Sequence, residues 1–243
     1  CMAVSAAGAM VIVNTVVYVR GYLGGSETDT AIALAGFGLG SMVAALVLPG
    51  LLDKYPDRRF MFSGAVLLAL GLLSGMLGPS LPGLVFIWAL LGVGSSLIQT
   101  PAGRLIVRSA RPGDRPAFYA AQFALSHACW LIAYPLAGWV GAGGNLALAF
   151  AIMAGLAMVS LLAAALFWRK ESAAPLLHRH DVVIHEHLHV HDEHHQHEHE
   201  GHEGDEPHSH PHQHEAIEHS HEFVIDLHHP VWPSGPVTQA ENR

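Results

Sequence analysis

Two stretches of this 243-residue chain contain no Asp, Glu, Lys or Arg, and each is longer than a single transmembrane helix. They cover 44 residues (60–103) and 53 residues (116–168). At about 1.5 Å per residue, one helix of either length would be at least about twice as long as a bilayer core of roughly 30 Å. Each stretch must therefore turn back on itself, and "GPSLPG" (78–83) and "GAGGN" (141–145) supply turn residues near the middle.

Two shorter uncharged stretches, 2–19 and 30–52, each have the length of one crossing. A large soluble helical core is the alternative, but it would need polar outer faces, which these stretches lack. In lipid, a helix satisfies all of its own backbone hydrogen bonds. The sequence therefore predicts an all-α polytopic membrane protein with six transmembrane helices, at about 2–20, 29–52, 59–78, 82–105, 115–140 and 145–168.

The composition changes abruptly after residue 170. Residues 1–170 carry ten Lys or Arg against five acids, whereas residues 171–243 carry two against fifteen and contain nineteen of the twenty histidines. The second part has too few apolar residues to build a core. We expect two domains, a six-span unit (1–170) and a largely disordered, acidic, His-rich tail (171–243).

Basic residues indicate how the spans are oriented. If the spans alternate, then 53–59, 104–115 and the residues after 168 share one side, here called the basic side, and nine of the ten Lys or Arg before the tail lie there. The opposite connections contain no Lys or Arg apart from Arg20 at their edge. The positive-inside rule predicts that the basic side is cytoplasmic. We therefore expect a multi-pass protein of the inner (plasma) membrane with a cytoplasmic tail.

The loop "PGLLDKYPDRR" (49–59) between the second and third spans resembles the loop signature of the major facilitator superfamily. Pro49 and Pro56 stand where that family usually has glycine, and a basic turn of another kind is the alternative. In the family, the aspartate helps to latch the cytoplasmic side during gating. The resemblance implies a gating role for four residues of this loop: Asp53, Lys54, Arg58 and Arg59.

A second segment, "YPLAGWVG" (134–141), resembles the Pro- and Gly-containing end of the eleventh span of these carriers. The signature follows the second span of each six-span half, and a tail follows the sixth span here. The chain therefore resembles the C-terminal half of a major facilitator transporter. Because it starts with Cys and is apolar from its second residue, we expect it to lack an N-terminal six-helix half, which would be its partner.

Polar residues within the spans are candidates for a transport pathway, because such groups usually face a bundle interior or a cavity. The alternative for each is a hydrogen bond to a neighbouring helix. His127 is the most informative, since a neutral imidazole can bind a divalent metal or relay a proton. Before Pro101 we expect an interrupted helix. The candidates are Asn14, Tyr18, Gln99, Gln122 and His127.

The tail is rich in metal ligands. Imidazole suits nickel, copper and zinc, neighbouring carboxylates add oxygen donors, and the tail has no cysteine for soft thiolate sites. The alternative is a solvated tail that responds to pH through His protonation. The predicted ligands are twelve histidines in alternating or contiguous runs: His185, His187, His189, His191, His194, His195, His197, His199, His208, His210, His212 and His214.

The chain with its tail resembles nickel- and cobalt-resistance permeases of the superfamily, which end in a cytoplasmic His-rich segment. This predicts proton-coupled export of a divalent metal across the lipid bilayer, with nickel, cobalt or zinc bound by the tail and no required cofactor. An importer with a sensing tail, a carrier of an organic solute or drug, and a non-transporting metal-storage protein remain as alternatives. No nucleophile, carboxylate pair or cofactor loop stands out, so we expect no enzyme and no nucleic-acid partner.

Overall fold

A computed structural model describes residues 1–168 and four tail segments, 175–180, 183–189, 208–214 and 217–222. Contacts divide the chain into two units, Cys1–Lys170 and Glu171–Arg243.

The described part of the first unit, residues 1–168, contains six helices that are each long and apolar enough to cross a membrane. The first of them continues beyond its α-helical part as a π-helical segment, Val17–Tyr22. The prediction of an all-α membrane protein with six spans is confirmed. The helices are α1 (Met2–Val16), α2 (Glu27–Leu52), α3 (Asp57–Gly75), α4 (Leu81–Ser109), α5 (Arg115–Ala142) and α6 (Leu146–Phe167).

The two turns predicted inside the long uncharged stretches are present. Gly78 and Gly144 adopt left-handed backbone conformations, with φ of 66° and 77°, which glycine reaches without a steric penalty. The α6 helix then begins with a side-chain cap, because Oδ1 of Asn145 accepts a hydrogen bond from the Leu148 backbone at 3.0 Å. These turns convert each uncharged stretch into a pair of antiparallel helices.

The helices form two interlocked triplets, α1–α3 and α4–α6. The first helix of each triplet contacts the second and third helices of the other, so α1 packs against α5 and α6, and α4 packs against α2 and α3. The third helices, α3 and α6, also contact each other. Such an exchange of neighbours is typical of inverted structural repeats in transporters. The α1 helix is the most buried, whereas α2 and α5 leave most of their residues exposed.

Glycines bring α2 and α4 into backbone contact. A Cβ at Gly40 would lie 2.0 Å from the Ala89 carbonyl oxygen, and one at Gly92 would lie 2.1 Å from that of Phe37. Ser41 adds a hydrogen bond from its hydroxyl to the Gly92 carbonyl at 3.1 Å. The runs "GFGLG" (36–40) and "GVGSS" (92–96) are therefore surfaces for close helix approach.

The predicted interruption before Pro101 is wrong, because α4 continues through this residue to Ser109. Pro101 is buried, and the helix on both sides of it is held by contacts with α2 and α3. Neighbouring helices commonly allow proline inside a membrane helix. Pro49 and Pro135 likewise lie inside continuous helices.

The described parts of the tail are four strands, β1 (Pro175–His180), β2 (Val183–His189), β3 (His208–His214) and β4 (Ile217–Glu222). The β1 strand pairs with β4, and β2 pairs with β3, both antiparallel. Most of the tail, for which disorder was predicted, lies outside the described residues. Five of the predicted metal ligands also lie outside them: His191, His194, His195, His197 and His199.

Candidate gating cluster and transport pathway

Arg104 on α4 is tied to the end of α2. Its Nη1 donates to Oδ1 of Asp53 at 3.0 Å, and its Nη2 donates to the Leu52 carbonyl at 3.2 Å. The Asp53 side chain is 75% exposed, so this ion pair is well solvated and weak on its own. The guanidinium nevertheless fixes the position of the helix end, because it also satisfies a terminal carbonyl of α2.

Asp57 lies beside the same guanidinium but is buried, with 4% of its side chain exposed. Its Oδ1 lies 3.6 Å from Nε of Arg104, and its Oδ2 lies 3.4 Å from Nη1 of Arg108. Asp57 is also in the first turn of α3, where a negative charge is favoured by the helix dipole. Asp53, Asp57, Arg104 and Arg108, here called the basic-side cluster, therefore join the ends of α2, α3 and α4.

The other predicted gating residues lie beside this cluster and make separate contacts. The guanidinium carbon of Arg58 lies 4.5 Å from the centre of the Phe62 ring, a cation–π contact. Lys54 and Arg59 are exposed. Of the four predicted residues, Asp53 is the one within the basic-side cluster.

Two pathway candidates, Asn14 and Tyr18, are buried inside the helical bundle. Nδ2 of Asn14 donates to the Ala137 carbonyl of α5 at 3.1 Å, and its Oδ1 has no hydrogen-bond partner. The Tyr18 hydroxyl donates to the Pro79 carbonyl at 2.8 Å, between α3 and α4. Both side chains therefore connect α1 to neighbouring parts of the bundle.

The remaining candidates lie towards the outside of the described helices. Gln99 on α4 and His127 on α5 are exposed, and Gln122 is half-buried. Nδ1 of His127 lies 2.9 Å from the Phe123 carbonyl oxygen, and the two rings are 3.9 Å apart. Since a carbonyl only accepts hydrogen bonds, this contact requires the proton on Nδ1. In the neutral ring, Nε2 then presents a lone pair.

The structure does not bring the five pathway candidates together. Asn14 on α1 and Tyr18 in the π-helical segment that continues it share the bundle interior, whereas the other three occupy exposed or half-buried positions on α4 and α5. Across residues 1–168, no three His, Cys, Asp or Glu side chains are grouped so that they could hold a metal ion. The proposed pathway roles remain predictions.

A comparison with protein families matches residues 1–188 to the Major Facilitator Superfamily. This match includes all six helices and more than half of the chain. The chain belongs to the major facilitator superfamily. Comparisons with curated proteins and with solved structures gave no significant match. As a member of this superfamily, the protein is a multi-pass membrane transporter.

In this major facilitator protein, sequence reasoning missed three members of the basic-side cluster: Asp57, Arg104 and Arg108. A signal was available, because Asp53 and Asp57 are four residues apart, as are Arg104 and Arg108. Residues four apart lie on one face of a helix, so the two arginines are suited to meet one set of carboxylates. The burial of Asp57 could not be read from spacing alone.

A buried polar contact between α1 and α4 was also missed. Trp88 donates from Nε1 to the Thr15 hydroxyl oxygen at 2.8 Å, and Thr15 in turn donates to the Val11 carbonyl. Both side chains are fully buried. The indole nitrogen of a buried tryptophan usually finds such a partner, and this expectation was the one available signal.

Proposed function

We propose that this major facilitator protein exports a divalent transition metal, nickel or cobalt, from the cytoplasm in exchange for protons. It works in the inner membrane with a further six-helix half, and its tail lies on the cytoplasmic side. The observation that carries the proposal is the concentration of nineteen histidines in residues 171–243, attached to a transporter on its basic side.

The chemistry of the tail favours divalent metal ions of intermediate (borderline) softness as the cargo. Neutral imidazole is a good ligand for nickel, cobalt and zinc, and the fifteen acidic residues of the tail offset the charge of the ion. The tail lacks cysteine, so it offers no thiolate for copper(I). A tail with these ligands binds free metal beside the transporter and raises its local concentration.

His127 gives the transmembrane unit one ligand of the same type. Its Nδ1 contact with the Phe123 carbonyl fixes the ring and leaves Nε2 as the donor atom. Metal-binding histidines characteristically use their second nitrogen for such a backbone contact. His127 is exposed on α5, a helix with much of its surface uncovered, where a second six-helix half would complete a pathway.

Growth of metal-sensitive cells tests the proposal. The gene, with its own upstream coding region, would be expressed intact, without residues 178–229, or with His127→Ala. We expect the intact gene to protect against nickel or cobalt, the tail deletion to protect less at low metal concentration, and His127→Ala to abolish protection. Protection against organic toxicants alone would indicate a carrier of organic solutes, and protection by the tail expressed alone would indicate metal storage.

A further inference from the structure

Arg58 lies at the membrane boundary of α3, a spanning helix that begins at Asp57. Its guanidinium carbon lies 4.5 Å from the centre of the Phe62 ring, one turn further along α3. The Phe62 ring in turn makes an edge contact with Trp168, directly after the end of α6, with 6.0 Å between the ring centres. Tryptophan is enriched where a protein crosses the headgroup region of a bilayer. Arg58 is therefore held over an aromatic pair at the level of the lipid headgroups.

The protein does not satisfy all of the hydrogen-bond donors of Arg58. Its Nε is buried and has no hydrogen-bond partner among residues 1–168. Burying a charged N–H group without a partner costs free energy, which an added acceptor would recover. The residue as a whole is partly exposed, so a ligand from outside can approach the guanidinium. A guanidinium presents its N–H donors in a planar fork that matches two oxygens of a phosphate.

The loop around Arg58 carries a surplus of positive charge. Within the basic-side cluster, two acids are balanced by two arginines. The same loop contains three further basic residues, which form no ion pair within residues 1–168: Lys54, Arg58 and Arg59. Lys54 and Arg59 are exposed. Basic residues beside a membrane attract anionic lipids, so the partner that fits this loop is an anionic headgroup.

The opposite side of the membrane differs in this respect. Arg20 is the one arginine at the edge of the connections there, and its Nη1 lies 2.9 Å from Oε1 of Glu27. Its charge is therefore balanced within the protein. Unpaired positive charge beside an aromatic pair distinguishes the start of α3.

We propose that Arg58, held over Phe62, binds the phosphate of an anionic phospholipid in the leaflet on the basic side, and that Lys54 and Arg59 strengthen the attraction. The inference goes beyond the proposed function, because it depends on the position of the helices in the bilayer and is independent of the cargo. Since Arg58 directly follows Asp57, the bound headgroup lies beside the contact that joins α2, α3 and α4.

Native mass spectrometry of the full-length protein in a mild detergent tests this site. The protein is titrated with phosphatidylglycerol or with phosphatidylcholine of the same acyl chains, and the apparent affinity for the first bound lipid is compared. Arg58→Gln removes the charge, whereas Phe62→Leu keeps the charge and removes the ring beneath it. Arg20→Gln is the matched control, because it removes an arginine on the opposite side. Circular dichroism checks that the helical content is unchanged.

We expect the wild type to bind phosphatidylglycerol more tightly than phosphatidylcholine. Arg58→Gln should weaken the binding of phosphatidylglycerol about fivefold, the effect of losing one basic residue beside an anionic surface, and should leave phosphatidylcholine binding unchanged. Phe62→Leu should weaken it by a smaller factor, because the guanidinium is no longer held by the ring. The control should bind both lipids as the wild type does.

Three results would overturn the site. Equal affinities of the wild type and Arg58→Gln for phosphatidylglycerol would show that Arg58 does not bind the headgroup. An equal loss in Arg58→Gln and Arg20→Gln would show a general effect of net charge. Displacement of the lipid by glycerol phosphate would assign the site to a soluble phosphorylated ligand. None of these results bears on metal export, which is tested separately.

Discussion

The buried carboxylate of Asp57, at the start of α3, lies 3.4 Å from Nη1 of Arg108, near the end of α4. Arg104 approaches the same carboxylate from one turn earlier on α4 and also binds Asp53. One buried acid is thus the centre of a contact between three helices. The exposed Asp53, which resembles the family's gating residue, is the outer member of this cluster.

We expect Asp57→Asn to destabilise the protein more than Asp53→Asn. Removing the buried charge leaves Arg104 and Arg108 without their shared counter-charge, which costs up to about 3–5 kcal/mol at a fully buried pair and less here because both arginines are partly exposed. The exposed Asp53 should contribute below about 1 kcal/mol. Thermal unfolding of the detergent-purified variants measures the difference, and equal losses would show that Asp57 is not the centre of the cluster.

Gly40→Ala should destabilise the contact between α2 and α4. The new Cβ would lie 2.0 Å from the Ala89 carbonyl oxygen, and a backbone atom cannot move away cheaply. Overpacking of this kind typically costs about 1–3 kcal/mol.

Gly38→Ala is the matched control, because it lies on the same helix with no atom within 4 Å of its added Cβ. It should leave the melting temperature unchanged or raise it slightly, since alanine is a better helix former. A similar loss in both variants would mean that close approach at Gly40 is unimportant for stability.

The hydrogen bond between Trp88 and Thr15 should be measurable as a coupling free energy in a double-mutant cycle. Thr15→Val removes the acceptor of a buried indole N–H, and it should cost between about 0.6 kcal/mol, the average for hydrogen bonds between membrane helices, and their maximum of about 1.7 kcal/mol. In a Trp88→Phe background, the same change should cost less, because the donor is already absent. Equal costs in the two backgrounds, compared by thermal unfolding, would contradict the contact.

His127→Ala should abolish metal transport without destabilising the protein. The side chain is exposed, and its Nδ1 contact is with a carbonyl of its own helix. Ser126→Ala is the control, since it changes the neighbouring position on α5 and should retain transport. A variant of His127 that unfolds at a lower temperature but still transports metal would assign this residue to structure instead.

The architecture could be predicted because few physical constraints determine it. Uncharged stretches too long for one crossing must turn, and Gly78 and Gly144 are placed where only glycine turns easily. Pro101 was misleading because contacts with neighbouring helices outweigh the loss of one backbone hydrogen bond.

Site residues were harder to predict, because burial depends on which helices meet. Asn14 and Tyr18 share one helix face, but spacing does not reveal that this face lies inside the bundle against α5 and the α3–α4 turn. In the sequence, Asp57 looks like an ordinary acidic residue of an exposed loop, and it is buried because α4 packs against it. The exposed position of His127 likewise follows from the way α5 packs.

Metal flux in membrane vesicles tests the central claim most directly. Inverted vesicles from cells expressing the gene with its upstream region would be energised to acidify their interior, and nickel accumulation would be followed. We expect accumulation that collapses with the proton gradient and is absent with His127→Ala. Nickel uptake no greater than in vesicles without the protein, together with gradient-driven uptake of an organic cation, would contradict metal export.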